Sequence, residues 1–411
     1  MSDGRAPSLS SAPGRGCAGA ARPSHSAAVS LALRLSLFYA GYFLSVGILL
    51  PFWPIWLASR GLSAGEIGVV LAIAQWVKVA ATPVTGGLAD HSGDPRRVML
   101  VLAVIAVAGY VACIPAHGFA ALATLNALTA ASLAALLPVG DSLATTATQQ
   151  GHIDFGRVRV WGTIAFIVAT LLGGHMLNGR AADIVLELVI VLVALNVGSC
   201  LLLPRSATHL APDLSLDSGW RPILTPQFLT FLAATTLLAA SHSVYYAFGS
   251  LNWRAQGFSD AAIAWLWAEG AAAEAVFFYW GAKAVTRYGP VPLMAAGAAS
   301  GAVRWTVLAF TADWRLLVLA QLLHAGTIAV AGLGAIHYLG RTIPPARMAT
   351  ALAINAAAVG GIGYGIVMPL AGALYGAYGS RAYLAMAVLS AASAVAAMVL
   401  KRLQEAAPTN S

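Results

Sequence analysis

About twelve apolar stretches, each near 20 residues long, run through this chain of 411 residues. That length matches a hydrocarbon core about 30 Å thick. The stretches lie near Leu31 to Ser59, Glu66 to Leu88, Val98 to Ala116, Phe119 to Thr148, Gly156 to Leu177, Asp183 to Leu203, Ile223 to Trp253, Asp260 to Val285, Val291 to Thr311, Trp314 to Leu339, Met348 to Tyr378 and Arg381 to Leu400. In lipid, backbone polar groups find no water, so each span must satisfy them within a helix or a closed barrel. The strand alternation that a barrel needs is missing. The expected class is an all-α, multi-pass membrane protein.

Charge supports this reading. Only 9% of residues are Asp, Glu, Lys or Arg, and 59% are hydrophobic. The net charge of +8 follows from the positive-inside rule and implies no nucleic-acid partner. Connections on one side carry Arg60, Arg180, Arg254, Arg315 and Arg381. Those on the other carry Arg96, Arg97, Arg157, Arg205, Arg221, Arg287, Arg341, Arg347, Lys401 and Arg402. The excess puts an even number of spans in the membrane with both termini in the cytoplasm. Cys17, Cys113 and Cys200 are scattered and give neither a disulfide framework nor a metal spacing. No His-Glu-x-x-His run, Gly-x-Ser-x-Gly elbow or phosphate loop occurs, so no enzyme, metal or cofactor is expected.

The tail 1–30, rich in Ser, Ala, Gly, Pro and Arg, reads as disordered. Six spans follow over 31–203. A cytoplasmic linker, 204–222, is the longest polar gap, and six more spans occupy 223–402 before a short tail, 403–411. Arg60-Gly61-Leu62-Ser63 before the second span has a counterpart in Gln256-Gly257-Phe258-Ser259 before the eighth. Gly86 to Gly93 has a degenerate one in Gly281 to Gly289. Parallel six-helix repeats with a solute site between them are a plan of secondary transporters.

A charge at bilayer depth costs roughly 3 kcal/mol or more unless paired or hydrated, so the buried ones mark candidate function. Asp141 and Arg159 lie equally far from the turn at Gln150, about 14 Å along antiparallel helices at ~1.5 Å per residue, and can face each other. Arg304 and His324 pass the same test about Trp314, and Glu274 and Arg304 about Gly289. Glu269, on the same helix as Glu274, falls on another face. Lys78 offers a cation to an anionic substrate or snorkels to an interface. His242, Tyr245 and Tyr246 form a polar-aromatic stripe able to stack on a ring or to serve only as packing. Asn126, Gln321 and Asn355 line a cavity or join helices.

Gly86-Gly87-Leu88-Ala89-Asp90, with Gly93 and Arg96-Arg97, resembles the inner-loop signature of the major facilitator superfamily. Gly87, Asp90, Arg96 and Arg97 would form a conformational latch, the glycines allowing close helix approach and Asp90 capping a helix or pairing with an arginine. Further stretches resemble the phenylpropionate permease family, a relative of lactose/oligosaccharide and nucleoside proton symporters. They are Tyr42-Phe43 with Pro51-Phe52-Trp53, Asp154-Phe155-Gly156-Arg157-Val158-Arg159-Val160-Trp161-Gly162-Thr163, Tyr245-Tyr246-Ala247-Phe248-Gly249, Val303-Arg304-Trp305 and Leu323-His324-Ala325-Gly326-Thr327.

The resemblance implies twelve transmembrane helices in two pseudo-symmetric six-helix bundles, the major facilitator fold, in a bacterial cytoplasmic membrane. It assigns Asp141 and Arg159 to a substrate or gating pair; Lys78, His242, Tyr245, Tyr246, Asn126 and Asn355 are candidates to join them on the reading of the residues alone. It assigns Arg304 and His324 to proton coupling. The relatives carry a carboxylate three residues after that histidine, where this chain has Thr327. Glu274 is the replacement, because Ala272-Ala273-Glu274-Ala275-Val276 matches the phenylpropionate-type pattern, with Glu269 second. The expectation is a monomeric, proton-coupled importer of a small organic solute such as 3-phenylpropionate, partnered by protons and the bilayer. A sugar or nucleoside symporter, a drug efflux transporter and a membrane ligand sensor are the competing readings.

Overall fold

The computed structural model describes residues 25–204 and 223–406. The expected N-terminal tail, the linker and the end of the C-terminal tail fall, but for their edges, outside the described residues. Among these residues there are helices and no strand.

The first half holds α1 (His25–Ser59), α2 (Ala64–Ser92), α3 (Pro95–Ala112), α4 (Phe119–Gln149), α5 (Phe155–Leu177) and α6 (Asp183–Leu202), one helix per expected span. Turn chemistry repeats between the halves. Gly61 and Gly257 adopt φ of 86° and 91°, which glycine alone tolerates well. Ser63 then accepts a hydrogen bond from the Glu66 amide to cap α2. Ser259 accepts from the Ala262 amide to cap α9 (Asp260–Trp280). Asp94 and Asp154 cap α3 and α5 in the same manner.

The second half departs from continuous spans. Its first is split into α7 (Pro226–Ala240) and α8 (Ser243–Ala255), parted at His242. Gly281 ends α9 early, and the short α10 (Ala282–Tyr288) restarts beyond it. A Cβ on Gly281 would strike Leu333 and lie 2.7 Å from the Phe277 carbonyl, so close packing fixes glycine there. After α11 (Pro290–Phe310), the tenth span runs as α12 (Trp314–Leu322), a π-helical turn at Gly326–Val330 and α13 (Ala331–Thr342). The eleventh runs as α14 (Met348–Ala357), a π-helical segment at Ala358–Tyr364 and α15 (Gly365–Tyr378). A short 3-10 turn beginning at Gly379 (φ 54°) leads into α16 (Tyr383–Glu405).

Eleven helical segments among the described residues are long and apolar enough to cross a membrane. The last, Met348–Glu405, is 58 residues long, twice a single crossing, and turns back at Gly379. The chain therefore spans twelve times. Side chains such as Leu172 (59% exposed), Phe310 (68%) and Val388 (68%) coat the outside. So much exposed apolar surface suits lipid rather than water.

The halves meet at the end bearing the Arg60 and Arg254 loops, here the loop side. A Cβ on Gly68 of α2 would lie 2.5 Å from the Met368 carbonyl of α15. One on Gly372 would lie as close, 2.5 Å, to the Ala64 carbonyl. Gly174 of α5 abuts Ala264 and the Asp260 carbonyl of α9. The core on this side merges both halves, from Phe52 and Trp56 through Phe248, Trp253 and Trp305 to Tyr383. On the side of the termini, the second half keeps a separate core around Phe228, Phe231 and Tyr338. The loop side is thus closed.

Candidate functional site

Arg304 anchors the second half's polar cluster and is fully buried. Its Nη2 donates to Gln321 Oε1 at 2.6 Å. Its Nη1 lies 2.9 Å from His324 Nδ1. The guanidinium rests over the rings of Tyr245 (4.3 Å) and Trp305 (4.4 Å). Gln321 spends its amide nitrogen on the Tyr245 hydroxyl (3.0 Å) and the Leu266 carbonyl (2.8 Å). Arginine is a donor only, so His324 Nδ1 must accept. The one proton of a neutral imidazole then sits on Nε2, which lies 3.7 Å from Glu274 Oε2. A continuous line results: Arg304, His324, Glu274.

This refines the sequence expectation. Glu274 reaches Arg304 through His324, not by direct pairing, because the imidazole occupies the guanidinium's inner edge. Glu269 is half-buried and joins no ion pair among the described residues. Gly270 packs against the His324 ring and holds it in place.

Around Arg159, the candidate substrate or gating pair is arranged without direct contact. No salt bridge joins Asp141 and Arg159 among the described residues. Asp141 instead accepts from the Tyr39 hydroxyl at 2.7 Å. The Arg159 guanidinium lies 4.3 Å from the Phe43 ring centre and 5.2 Å from that of Tyr39. Gly162 leaves room, since a Cβ there would sit 2.7 Å from Phe43 and 3.0 Å from Arg159 Nη1. Depth matching was sound, but an aromatic ring stands between the two charges. Arg159 is left on two π-faces with no carboxylate within 4 Å among the described residues, and its helix α5 packs against α9, which carries Glu274.

Other expected residues separate into two groups. Asn126 is buried and satisfied: it accepts from Trp53 Nε1 (2.8 Å) and donates to the Val70 carbonyl (3.1 Å). It ties α1, α2 and α4 together, with both ends of its amide engaged by the protein. Tyr245 is equally buried, wedged between Trp267 (4.4 Å) and Arg304. Lys78 is half-buried without an ion pair among the described residues. His242 stacks on Tyr246 (5.5 Å), which lies 6.0 Å from Tyr364. His242 Nδ1 donates to the Leu238 carbonyl at 2.9 Å, and its Nε2 lies 3.1 Å from Thr327 Oγ1. Thr327 thus contacts a second histidine. Asn355 accepts from Thr235 at 2.7 Å and borders a cavity of about 200 Å³ within the second half.

Tyr39, Phe43, Trp267 and Tyr364 were not assigned roles by sequence reasoning. Their signal was only an aromatic at the right depth, which packing alone also produces.

Residues 32–385 match the MFS_1 like family. The chain belongs to this family of major facilitator transporters. It is 30% identical over 361 residues to the "Probable 3-phenylpropionic acid transporter" of Escherichia coli (strain K12), covering 87% of this chain and 94% of that one. It is 28% identical over 335 residues to the maltose permease of Geobacillus stearothermophilus, covering 80% and 83%. Its fold is similar to the crystal structure of the nucleoside transporter NupG, with a TM-score of 0.79 at 19% identity, covering 90% of this chain and 99% of that one. The protein is a multi-pass membrane transporter of small molecules, not an enzyme.

At the family's inner-loop signature, Gly86 and Gly87 meet no atom within 4 Å where a Cβ would project. Close helix approach, the expected reason for these glycines, is absent in this state. Asp94 caps α3, accepting from the Arg97 amide at 3.1 Å. The Asp90 side chain lies outside the described residues. Neither Arg96 nor Arg97 makes an ion pair among the described residues.

Proposed function

We propose that this MFS transporter imports a small aromatic acid such as 3-phenylpropionate together with a proton. The observation that carries the reading is Arg159, a cation within a membrane span that lies on aromatic rings, on a helix packed against the one bearing Glu274. A carboxylate solute would accept from the guanidinium while its ring packs against Phe43 and Tyr39.

Coupling follows from charge. Arg159 can balance one nearby negative charge at low cost, not two. A bound substrate carboxylate therefore competes with ionised Glu274, and binding favours the protonated acid. His324 cannot take the extra proton on Nδ1 without losing its bond from Arg304, which leaves Glu274 as the carrier. The proton and the anion would then bind one conformational state together and bias the rocking of the halves. Bundle boundaries at 31–203 and 223–402, both termini in the bacterial cytoplasm and a monomeric unit complete the proposal. With that orientation the closed loop side faces outward, and the state is inward-facing.

The test is uptake of labelled 3-phenylpropionate into proteoliposomes, with and without an inward proton gradient, for the parent and Glu274→Gln. Gradient-driven accumulation that disappears in the variant is the expected result. No uptake under a verified gradient overturns the aromatic-acid assignment and turns attention to sugars, favoured by the maltose permease likeness. Equal accumulation in the variant removes Glu274 from the mechanism.

A further inference from the structure

The cavity in the second half shares no lining residue with the Arg159 surface. It holds about 200 Å³, room for about six waters at ~30 Å³ each or one small ring. Its walls come from α7, α11, α13, α14, α16 and both π-helical segments. No Asp, Glu, Lys or Arg lines it. Ala234, Ala331, Gly332 and Ala335 make its walls shallow. The irregular backbone of the second half gathers here, since Thr327 and Ile328 belong to one π-segment and Tyr364 to the other. Such segments in a membrane are tolerated where they border a cavity.

The polar groups around this space are only partly spent. The Thr235 hydroxyl occupies one end of the Asn355 amide. Whichever way that amide is turned, its other end has no hydrogen-bond partner among the described residues, and Asn355 borders the cavity. Ser393 is committed to the Ala234 carbonyl at 2.7 Å. His242 is committed to Leu238 and Thr327. Besides the phenol of Tyr364 on one wall, the polar group left facing this neutral slot is the other end of the Asn355 amide.

We propose that this cavity is a separate binding site for a small, uncharged, planar molecule bearing a carbonyl or amide group. The ring would lie along the Ala/Gly wall, and the carbonyl or amide would pair with Asn355. An anion has no counter-charge there, so the site discriminates against the carboxylates proposed for Arg159. Both sites can be filled together, and the inference stands whether or not the aromatic-acid reading does.

The probe is benzamide, titrated calorimetrically into the full-length protein in nanodiscs, with empty nanodiscs subtracted. Saturable binding is expected, unchanged within about twofold by excess 3-phenylpropionate and by Arg159→Gln. Asn355→Leu and Ala335→Phe should each weaken it at least about tenfold. Thermal unfolding verifies that each variant is folded, and Ala335→Leu replaces Ala335→Phe if that one is not. Absence of saturable binding to the parent overturns the proposal. So does displacement by 3-phenylpropionate, loss in Arg159→Gln, or unaltered binding in folded variants of both Asn355 and the cavity wall.

Discussion

Among the described residues, the first half of this transporter has one unbroken helix per span, whereas four spans of the second half are interrupted, that of α9 and α10 at Gly281 near its end. The contrast runs against the obvious sequence cue. Pro51 and Pro54 lie inside α1, Pro83 inside α2 and Pro138 inside α4, yet all three helices continue. The second half breaks at His242, at Gly326–Val330 and at Ala358–Tyr364, none of which contains a proline. A membrane helix tolerates proline when neighbours re-satisfy the freed carbonyls. It opens where polar side chains must face a cavity. The first half therefore supplies a rigid surface with Arg159 lying on aromatic rings, and the second supplies the titratable cluster and the adaptable backbone.

The largest expected effect tests the second half. Arg304→Met removes the donor shared by His324 and Gln321 and strands both inside the bundle. A destabilisation of about 1–3 kcal/mol for each stranded acceptor is expected in unfolding experiments in detergent. A loss near zero would show that the cluster does not hold the second half together. Next comes Arg159→Gln in the first half, which removes a charge-assisted hydrogen bond to the substrate, about 1.5–3 kcal/mol. Uptake of the aromatic acid should weaken roughly 10- to 100-fold with thermal stability retained. Unchanged uptake would leave the first half without its proposed role.

Smaller effects sharpen the comparison. Gly372→Val places a side chain against the Ala64 carbonyl, 2.5 Å from where a Cβ would sit. Overpacking of about 1–3 kcal/mol should open the loop side. Spin labels at the loop-side ends of α2 and α15 should move apart, and an unaltered distance would show that this contact does not close the transporter. Asp141→Asn is expected to change the apparent KM least, by less than about 1 kcal/mol, because an asparagine oxygen can still accept from Tyr39. A large loss would reinstate Asp141 as a charge that the substrate itself requires.

Much of the fold was legible because lipid leaves the backbone few choices. Span length, loop glycines and Ser or Asp caps fixed where helices begin and turn. The site was legible in part. Antiparallel depth matching brought Arg304 beside His324 and set Glu274 at the same level. It could not tell that His324 would stand between Arg304 and Glu274, or Tyr39 between Asp141 and Arg159. Depth is one coordinate, and the rotation of each helix is set by packing against neighbours distant in sequence. Asn126 shows the cost, since its depth suited a cavity while its rotation gave the amide to Trp53 and Val70.

The sequence by itself determined that this chain crosses a membrane twelve times as two related halves and that a few ionisable groups stay at bilayer depth. Those properties follow from hydropathy, length and local turn chemistry, each readable within a short window. Only the tertiary structure decided which side of the molecule is closed, which charge is left on bare aromatic faces and where the helices open around a cavity. Each of these depends on contacts between residues far apart in the chain, such as the meeting of Gly372 with Ala64, and no local pattern encodes them.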